Sequence, residues 1–181
     1  MTDWDAGYSG REDFYGAAYP DLVEWIAGLP GRGRALDVGC GQGRNALELA
    51  RLGFSVVAID PSPVGIAQLS ARAGAQGLAV AASVDTVETF EVDEPFALIL
   101  VDMVLHGLGN ELDPSALVAR LAAVLAPGGV LVVVTPGPDE DAERVRHLPG
   151  STLVVDRPIV HRFDGETLTF HLTVVEMAAE G

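Results

Sequence analysis

The sequence predicts an α/β fold organised on one open, mostly parallel sheet, and three observations carry that expectation. Between Arg34 and Asp60 a short apolar run, a glycine-rich turn, a helical stretch and a second apolar run ending in an acid follow one another. That order is the first unit of a nucleotide-binding parallel sheet. Phe96 to Val101 is a continuous apolar run, as expected of a parallel strand covered on both faces. Near the end, Asp164-Gly165 separates two alternating segments, a strong short-range hairpin signal.

Taken in order, residues 1–12 are polar and rich in glycine and acid, and the expectation is a loose segment. Trp4, Tyr8, Phe14, Tyr15 and Tyr19 nonetheless crowd the first nineteen residues. Pro20 opens a short helix with Leu22, Val23 and Ile26 on one face, ending near Gly28. Ala35–Val38 reads as the first strand. Its helix carries Ala46, Leu47 and Ala50 and ends at Gly53, a left-handed C-cap. Phe54 to Ile59 is the second strand and leads into Asp60. Ser62 and Pro63 then suit the N-cap and first position of a helix with Ile66, Leu69 and Ala73 inward. A loop is expected over Gly74–Gly77, and a third strand runs from Leu78 to Val84. Asp113-Pro114 caps the helix carrying Leu117, Val118, Leu121, Val124 and Leu125. A turn at Leu125-Ala126-Pro127-Gly128-Gly129 precedes the β-branched strand Val130–Thr135. The acidic segment 139–147 is a short helix at best. Thr152–Phe163 and Glu166–Met177 form the hairpin, with Leu168, Phe170, Leu172 and Val174 on one face.

The turn after the first strand indicates the ligand class. Glycines at 39, 41 and 43 let backbone pass close to a ligand and reach positive φ cheaply. The helix that follows presents N–H groups and a favourable dipole to a negative group. Asp60, at the tip of the second strand, is placed to take both hydroxyls of a ribose. A dinucleotide fingerprint requires G-x-G-x-x-G; counting from Gly39 the third glycine position is Arg44. The pattern Asp37-x-Gly39-x-Gly41-x-Gly43 therefore puts NAD second.

This pattern resembles the first motif of the class I S-adenosylmethionine-dependent methyltransferases. The string Gly39-Cys40-Gly41-Gln42-Gly43-Arg44-Asn45 is most similar to the tellurite-resistance branch, and Leu125-x-Pro127-Gly128-Gly129 before a β-branched strand is a second, independent likeness. The resemblance covers roughly residues 12–177. It implies a single Rossmann-like domain over residues 1–181, with residues 1–30 a lid and helix segment and 31–181 the core. That core has a seven-stranded sheet with helices on both faces. The resemblance also implies S-adenosylmethionine as cofactor and S-adenosylhomocysteine as product. The glycine loop (Asp37, Gly39, Cys40, Gly41, Asn45) would face the methionine part, and Asp60 would hold the ribose. Asp85 would bond the adenine amino group while the Thr86 N–H reads a ring nitrogen, with Pro61 and Val101 completing the cofactor set. Tyr15 would face the sulfonium, whose charge an aromatic ring stabilises.

His106, after the fourth strand, is the catalytic candidate, since an imidazole can take a proton from a hydroxyl or amine; it competes with a capping or packing role. Tyr19, Asp102 and His106 are the substrate-binding candidates. Acceptor-facing segments are expected in the N-terminal aromatics and in residues 102–112 and 136–150. Many family members carry an aspartate where this chain has Ala97. A soft sulfur, selenium or tellurium nucleophile would need no general base, whereas a hydroxyl would make His106 the base.

Composition excludes several classes. With 181 residues and 49% hydrophobic composition a sizeable core is available. All 11 basic residues are arginine, so no lysine Schiff base and no ordinary pyridoxal chemistry is possible. A net charge of −15 without a basic cluster argues against a nucleic-acid partner. The single Cys40 forms no internal disulfide and reads as a small turn-filler. No Cys/His cluster has metal spacing. Neither a signal peptide nor a membrane span is evident, so the expected setting is cytoplasmic, with a small-molecule methyl acceptor and no membrane partner. The sequence leaves the oligomeric state open, and it leaves three alternatives: a non-catalytic binder of S-adenosylmethionine or S-adenosylhomocysteine, an NAD-dependent oxidoreductase, and a protein methyltransferase, for which no long docking insertion is evident.

Overall fold

A computed structural model of the chain describes residues 4–11, 13–108 and 112–179. The elements are α1 (Trp4–Ser9), α2 (Pro20–Ala27), β1 (Arg34–Val38), α3 (Arg44–Arg51), β2 (Ser55–Asp60), α4 (Pro63–Gln76) and β3 (Val80–Val84). They continue with β4 (Phe96–Asp102), a 3-10 turn (Leu105–Gly107), α5 (Pro114–Ala123), β5 (Leu125–Thr135), α6 (Glu140–Arg146), β6 (Ser151–Phe163) and β7 (Glu166–Met177). The strand order is β3-β2-β1-β4-β5-β7-β6. The β1–β2, β2–β3 and β4–β5 pairings are parallel, and β5–β7 and β7–β6 are antiparallel. The predicted α/β class, mostly parallel sheet and closing hairpin are all present. The chain divides into two compact units, one up to Phe90 and one from Glu91.

In the first unit, β1 is buried from Ala35 to Val38 and pairs with β2 in register, Asp37 opposite Ala58. The glycine turn takes left-handed backbone three times, with φ of 68° at Gly39, 51° at Gly41 and 87° at Gly43, conformations that side chains make costly. Gly43 is also the N-cap of α3, and a Cβ there would lie 2.2 Å from Leu69 Cδ1. The helix buries Ala46, Leu47, Leu49 and Ala50 and gives way to Gly53 at φ 93°. Ser62 caps α4 by accepting the Gly65 N–H at 3.0 Å. The expected loop at 74–77 is instead the last turn of α4, which closes on Gly77 at φ 64°. Gly74 meets no steric obstacle in the helix, and only Gly77 takes the left-handed conformation that terminates it.

The N-terminus corrects another expectation. Trp4–Ser9 is helical rather than loose; residues 1–3 and 12 lie outside the described ones. Tyr8 is buried and forms an edge contact with Phe14 at 6.0 Å, while Trp4 stacks on Tyr8 at 6.4 Å. Aromatic burial therefore orders a stretch whose composition is polar.

In the second unit, β4 and β5 are buried along most of their length. β5 begins at Leu125, so Pro127-Gly128-Gly129 lies inside the ladder, where the β4–β5 register shifts after Phe96. A Cβ on Gly129 would lie 2.9 Å from the Phe96 carbonyl oxygen, which explains the glycine. Asp113 caps α5 through the Ser115 N–H at 2.9 Å. On the β6–β7 hairpin, Leu172 and Val174 are buried and Leu168 is exposed. His171 Nε2 lies 2.6 Å from Asp156 Oδ1, and Arg146 Nε of α6 donates to Oδ2 at 2.9 Å. Burial raises the Asp156 pKa, but hydrogen bonds from His171 and Arg146, with the charge of Arg146, outweigh it and hold the carboxyl below its ordinary value.

Gly43→Ala is expected to destabilise the chain by about 2–4 kcal/mol, from left-handed strain plus overpacking against Leu69, as read by urea titration. Asp156→Asn should lower stability at pH 7 by about 1 kcal/mol. Because the folded carboxyl pKa is depressed, that difference is present above the unfolded value of about 3.9. It should vanish as pH falls through the folded value, which melts of both proteins across acid pH would measure.

Candidate nucleoside-binding site

Asp60 organises the first unit's candidate site. Its position as the last residue of β2 carries the side chain to the glycine turn, where Oδ2 accepts the Gly41 N–H at 2.8 Å and Oδ1 accepts the Ser62 N–H at 2.8 Å. The carboxylate is 5% exposed. Burial raises its pKa, the Ser62 and Gly41 N–H bonds partly restore the charged form, and nearby Asp5 opposes it. The turn is tied to β2 twice more, through the Gly39 and Cys40 N–H groups, which donate to the Ile59 carbonyl at 2.8 and 3.0 Å.

Asp37 and Asn45 are buried, Asp37 within β1 and Asn45 in the first turn of α3. Cys40 is buried as well. Burial, with Asp37 and Asp60 nearby, pushes its thiol well above the ordinary range, the opposite of what a reactive thiolate requires. Pro61 is exposed directly after Asp60. Asp85 follows β3, and its N–H donates to the Asp60 carbonyl at 3.2 Å. Asp85 Oδ1 accepts from the Thr86 N–H at 2.8 Å and from Thr89 Oγ1 at 2.5 Å, the arrangement of a turn cap.

The aromatics separate. Tyr19 is 1% exposed and Tyr15 is 42% exposed. The Arg44 guanidinium lies over both rings, 4.6 Å from the Tyr19 centroid and 5.9 Å from that of Tyr15. Tyr8, which no sequence motif marks, has its ring against the turn. A Cβ on Gly41 would lie 2.7 Å from its hydroxyl oxygen. Burial, and then the charge of Asp60, raise the Tyr8 pKa far above its ordinary value, so it remains a phenol. Alternation of aromatics with small residues offered no signal separating Tyr8 from its neighbours.

The remaining candidates belong to the second unit. Val101 and Asp102 are buried at the end of β4. His106 is exposed on the 3-10 turn. Met103, between them, holds φ 58°, an uncommon conformation for a non-glycine residue that no sequence pattern announced. Of the expected acceptor-facing segment 102–112, residues 109–111 lie outside the described ones. No group of three or more His, Cys, Asp or Glu able to hold a metal occurs among the described residues. No helix among them is long and apolar enough to cross a membrane.

The chain is 36% identical over 104 residues to the ubiquinone biosynthesis O-methyltransferase of Caulobacter sp. (strain K31), a match covering 56% of this chain and 40% of that protein. A similar protein from Rhodopseudomonas palustris (strain BisA53) is 33% identical over 116 residues, covering 64% and 43%. The chain thus spans about two fifths of the length of these curated relatives. Among solved structures, one concerned with conversion of a disulfide bond into a thioacetal group during echinomycin biosynthesis aligns with TM-score 0.76 and 22% identity, covering 98% of this chain and 91% of that one. TehB from Haemophilus influenzae aligns at TM-score 0.73 with 19% identity, covering 96% and 67%. The N-methyltransferase NodS from Bradyrhizobium japonicum WM9, in complex with S-adenosylhomocysteine, gives 0.72 and 20%, covering 87% and 84%. At these identities the structural likeness is one of fold, and the sequence relatives do not single out the tellurite-resistance branch. Residues 11–170 match the model of the methyltransferase domain, and the chain belongs to that family.

Proposed function

We propose that this chain is an S-adenosylmethionine-dependent methyltransferase acting on a small-molecule acceptor. The observation that carries the reading is the buried Asp60 carboxylate fastened to the alternating-glycine turn through the Gly41 N–H. A carboxylate oxygen has two lone-pair directions. Each Asp60 oxygen uses one for a backbone N–H and can accept a ribose hydroxyl with the other. The site therefore fits a nucleoside by its own chemistry.

In this reading Asp37, Gly39, Cys40, Gly41 and Asn45 face the amino-acid part of the cofactor, Asp85 and Thr86 face adenine, and Pro61 in the first unit and Val101 in the second remain cofactor-binding candidates. For the Thr86 N–H to reach a ring nitrogen, it must exchange its present bond to Asp85 Oδ1. When bound, the cofactor supplies an activated methyl group on a sulfonium. The chain's task is then to bind the acceptor, exclude water and orient it, effects worth roughly 7–11 kcal/mol. Tyr15 is proposed to face the sulfonium, with Tyr19, Asp102 and His106 toward the acceptor.

Two acceptor classes are supported by different observations. The Gly41-Gln42-Gly43-Arg44-Asn45 string favours a soft sulfur, selenium or tellurium nucleophile, for which the site needs no base. The names of the curated relatives favour a hydroxyl, for which His106 is the base. An NAD-dependent reading is disfavoured because Arg44 stands where the dinucleotide fingerprint needs glycine. Incubation with a methyl-labelled donor and a panel of thiols, phenols and selenium and tellurium oxyanions tests the assignment. Transfer to none of them, with cofactor binding intact, would favour a non-catalytic binder.

Asp60→Ala is expected to weaken S-adenosylhomocysteine binding about tenfold or more, the loss of charge-assisted hydrogen bonds worth about 1.5–3 kcal/mol. Calorimetry reads it, and unchanged affinity would remove Asp60 from the site. His106→Ala should leave turnover of a soft acceptor nearly intact and lower that of a hydroxyl acceptor by about 10²–10⁴-fold. Paired rate measurements on the two acceptor classes decide between them.

A further inference from the structure

Gln42 sits inside the glycine turn, yet no role proposed above uses its side chain. It is 7% exposed, and its amide is spent on the N-terminal segment. Oε1 accepts the Phe14 N–H at 2.8 Å. Nε2 donates to the Arg11 carbonyl at 2.5 Å and to Gln68 Oε1 at 2.6 Å, with the Tyr8 carbonyl at 3.4 Å. Gln68, on α4, donates in turn to the Tyr8 carbonyl at 3.0 Å. Two glutamines thus grip the main chain at residues 8, 11 and 14.

The grip sets where Tyr8 lies. The ring covers Gly41 and reaches α4, where a Cβ on Gly65 would lie 3.2 Å from Tyr8 Cδ2. Asp5 bonds Ser62 Oγ, beside the N–H that Asp60 holds. Arg44, two residues along the turn from Gln42, makes a second attachment, donating to the Tyr15 carbonyl at 3.1 Å and to the Tyr19 hydroxyl at 3.2 Å. Docking for stability alone could use any surface of the unit. Here the attachments converge on the turn that carries Gly41 and on the residues next to Asp60. A displacement of the turn is therefore transmitted to the segment, and the reverse.

We infer that Gln42 is a positioning residue: it latches the N-terminal segment to the glycine turn so that Tyr8 walls the site anchored by Asp60, and a bound nucleoside leaves only when the latch opens. This rests on the reading that the turn receives an adenosyl nucleoside. Gln42 acts through Tyr8 and the turn, without itself reacting.

The test uses the full chain, S-adenosylhomocysteine as probe and trypsin, whose cut after Arg11 falls at the carbonyl Gln42 holds. Gln42→Ala and Gln42→Glu should speed that cut about tenfold, the Glu variant because it keeps an acceptor but loses both amide donors. Both should raise the dissociation constant about fivefold or more, with the loss in the dissociation rate. Ligand should protect Arg11 in the wild type and much less in the variants. Gln68→Ala, on the half-buried face of α4, should reproduce the effect in weaker form and serves if a Gln42 variant fails to fold. Affinity that is unchanged or tighter in a variant that melts like the wild type would overturn the latch, as would an unchanged cutting rate. If the wild type itself binds no S-adenosylhomocysteine, the functional reading falls and takes the latch with it. If the wild type binds and the Gln42 variants bind equally, only the latch falls.

Discussion

A single buried carboxylate joins three pieces of the first unit. Asp60 ends β2, accepts one N–H from the glycine turn and another from the residue that caps α4. Desolvation works against its charge, as its raised pKa records, and the backbone donors offset part of that penalty. The arrangement leaves a desolvated anion in fixed geometry at the turn. A core built for stability alone would avoid such a group. Strand end, turn and helix start are consequently one mechanical piece, and a change in any of them reaches the others through that carboxylate.

Close approach around this joint explains the small residues. Gly43 leaves room for Leu69, and a Cβ on Gly65 would lie 2.9 Å from the Gly41 carbonyl oxygen. The helix that follows β2 can therefore sit directly against the turn. Cys40 fills the interior of the same bend with a thiol whose ionisation burial suppresses. Arg44 illustrates the cost of abandoning a dinucleotide pattern. Where a glycine would permit tighter packing, its guanidinium instead lies over Tyr15 and Tyr19 and ties the N-terminal segment down.

The second unit is stabilised by different means. Its parallel pair is largely apolar, with Asp102 and Thr135 at the carboxyl ends of its strands, whereas the hairpin closing the sheet order carries an ionic cluster of Asp156, His171 and Arg146, with Glu143 beside Arg146. That cluster fixes α6 against β6 and β7. Left-handed backbone at non-glycine residues of this unit occurs at Asp164, in the hairpin turn, and at Met103; Met103 follows Asp102 at the carboxyl end of a strand, where open α/β sheets place their ligands.

Strand positions, the caps at Ser62 and Asp113, the Asp164-Gly165 hairpin and the left-handed glycines were legible in the sequence, because hydrophobic period, capping chemistry and turn chemistry are local. Asp60 was legible for the same reason, being the last residue of an apolar strand. The extension of α4 to Gln76 was hidden by Gly74, a loop signal that the exposed last turn of the helix accommodates without obstacle. The helical N-terminus and the placement of Pro127-Gly128-Gly129 within a ladder were not legible, since each depends on what packs or pairs from elsewhere in its unit. Tyr8, Gln42 and Gln68 belong to the same class. Nothing in a polar, aromatic-dotted segment states which ring will be buried or which amide will hold its carbonyls. The sequence alone determined the fold class, the order of elements and the acid at the turn, all consequences of short-range pattern. Tertiary structure alone decided which N-terminal aromatic meets the glycines and what holds it there, because that choice is made by contacts between residues 26 to 60 positions apart.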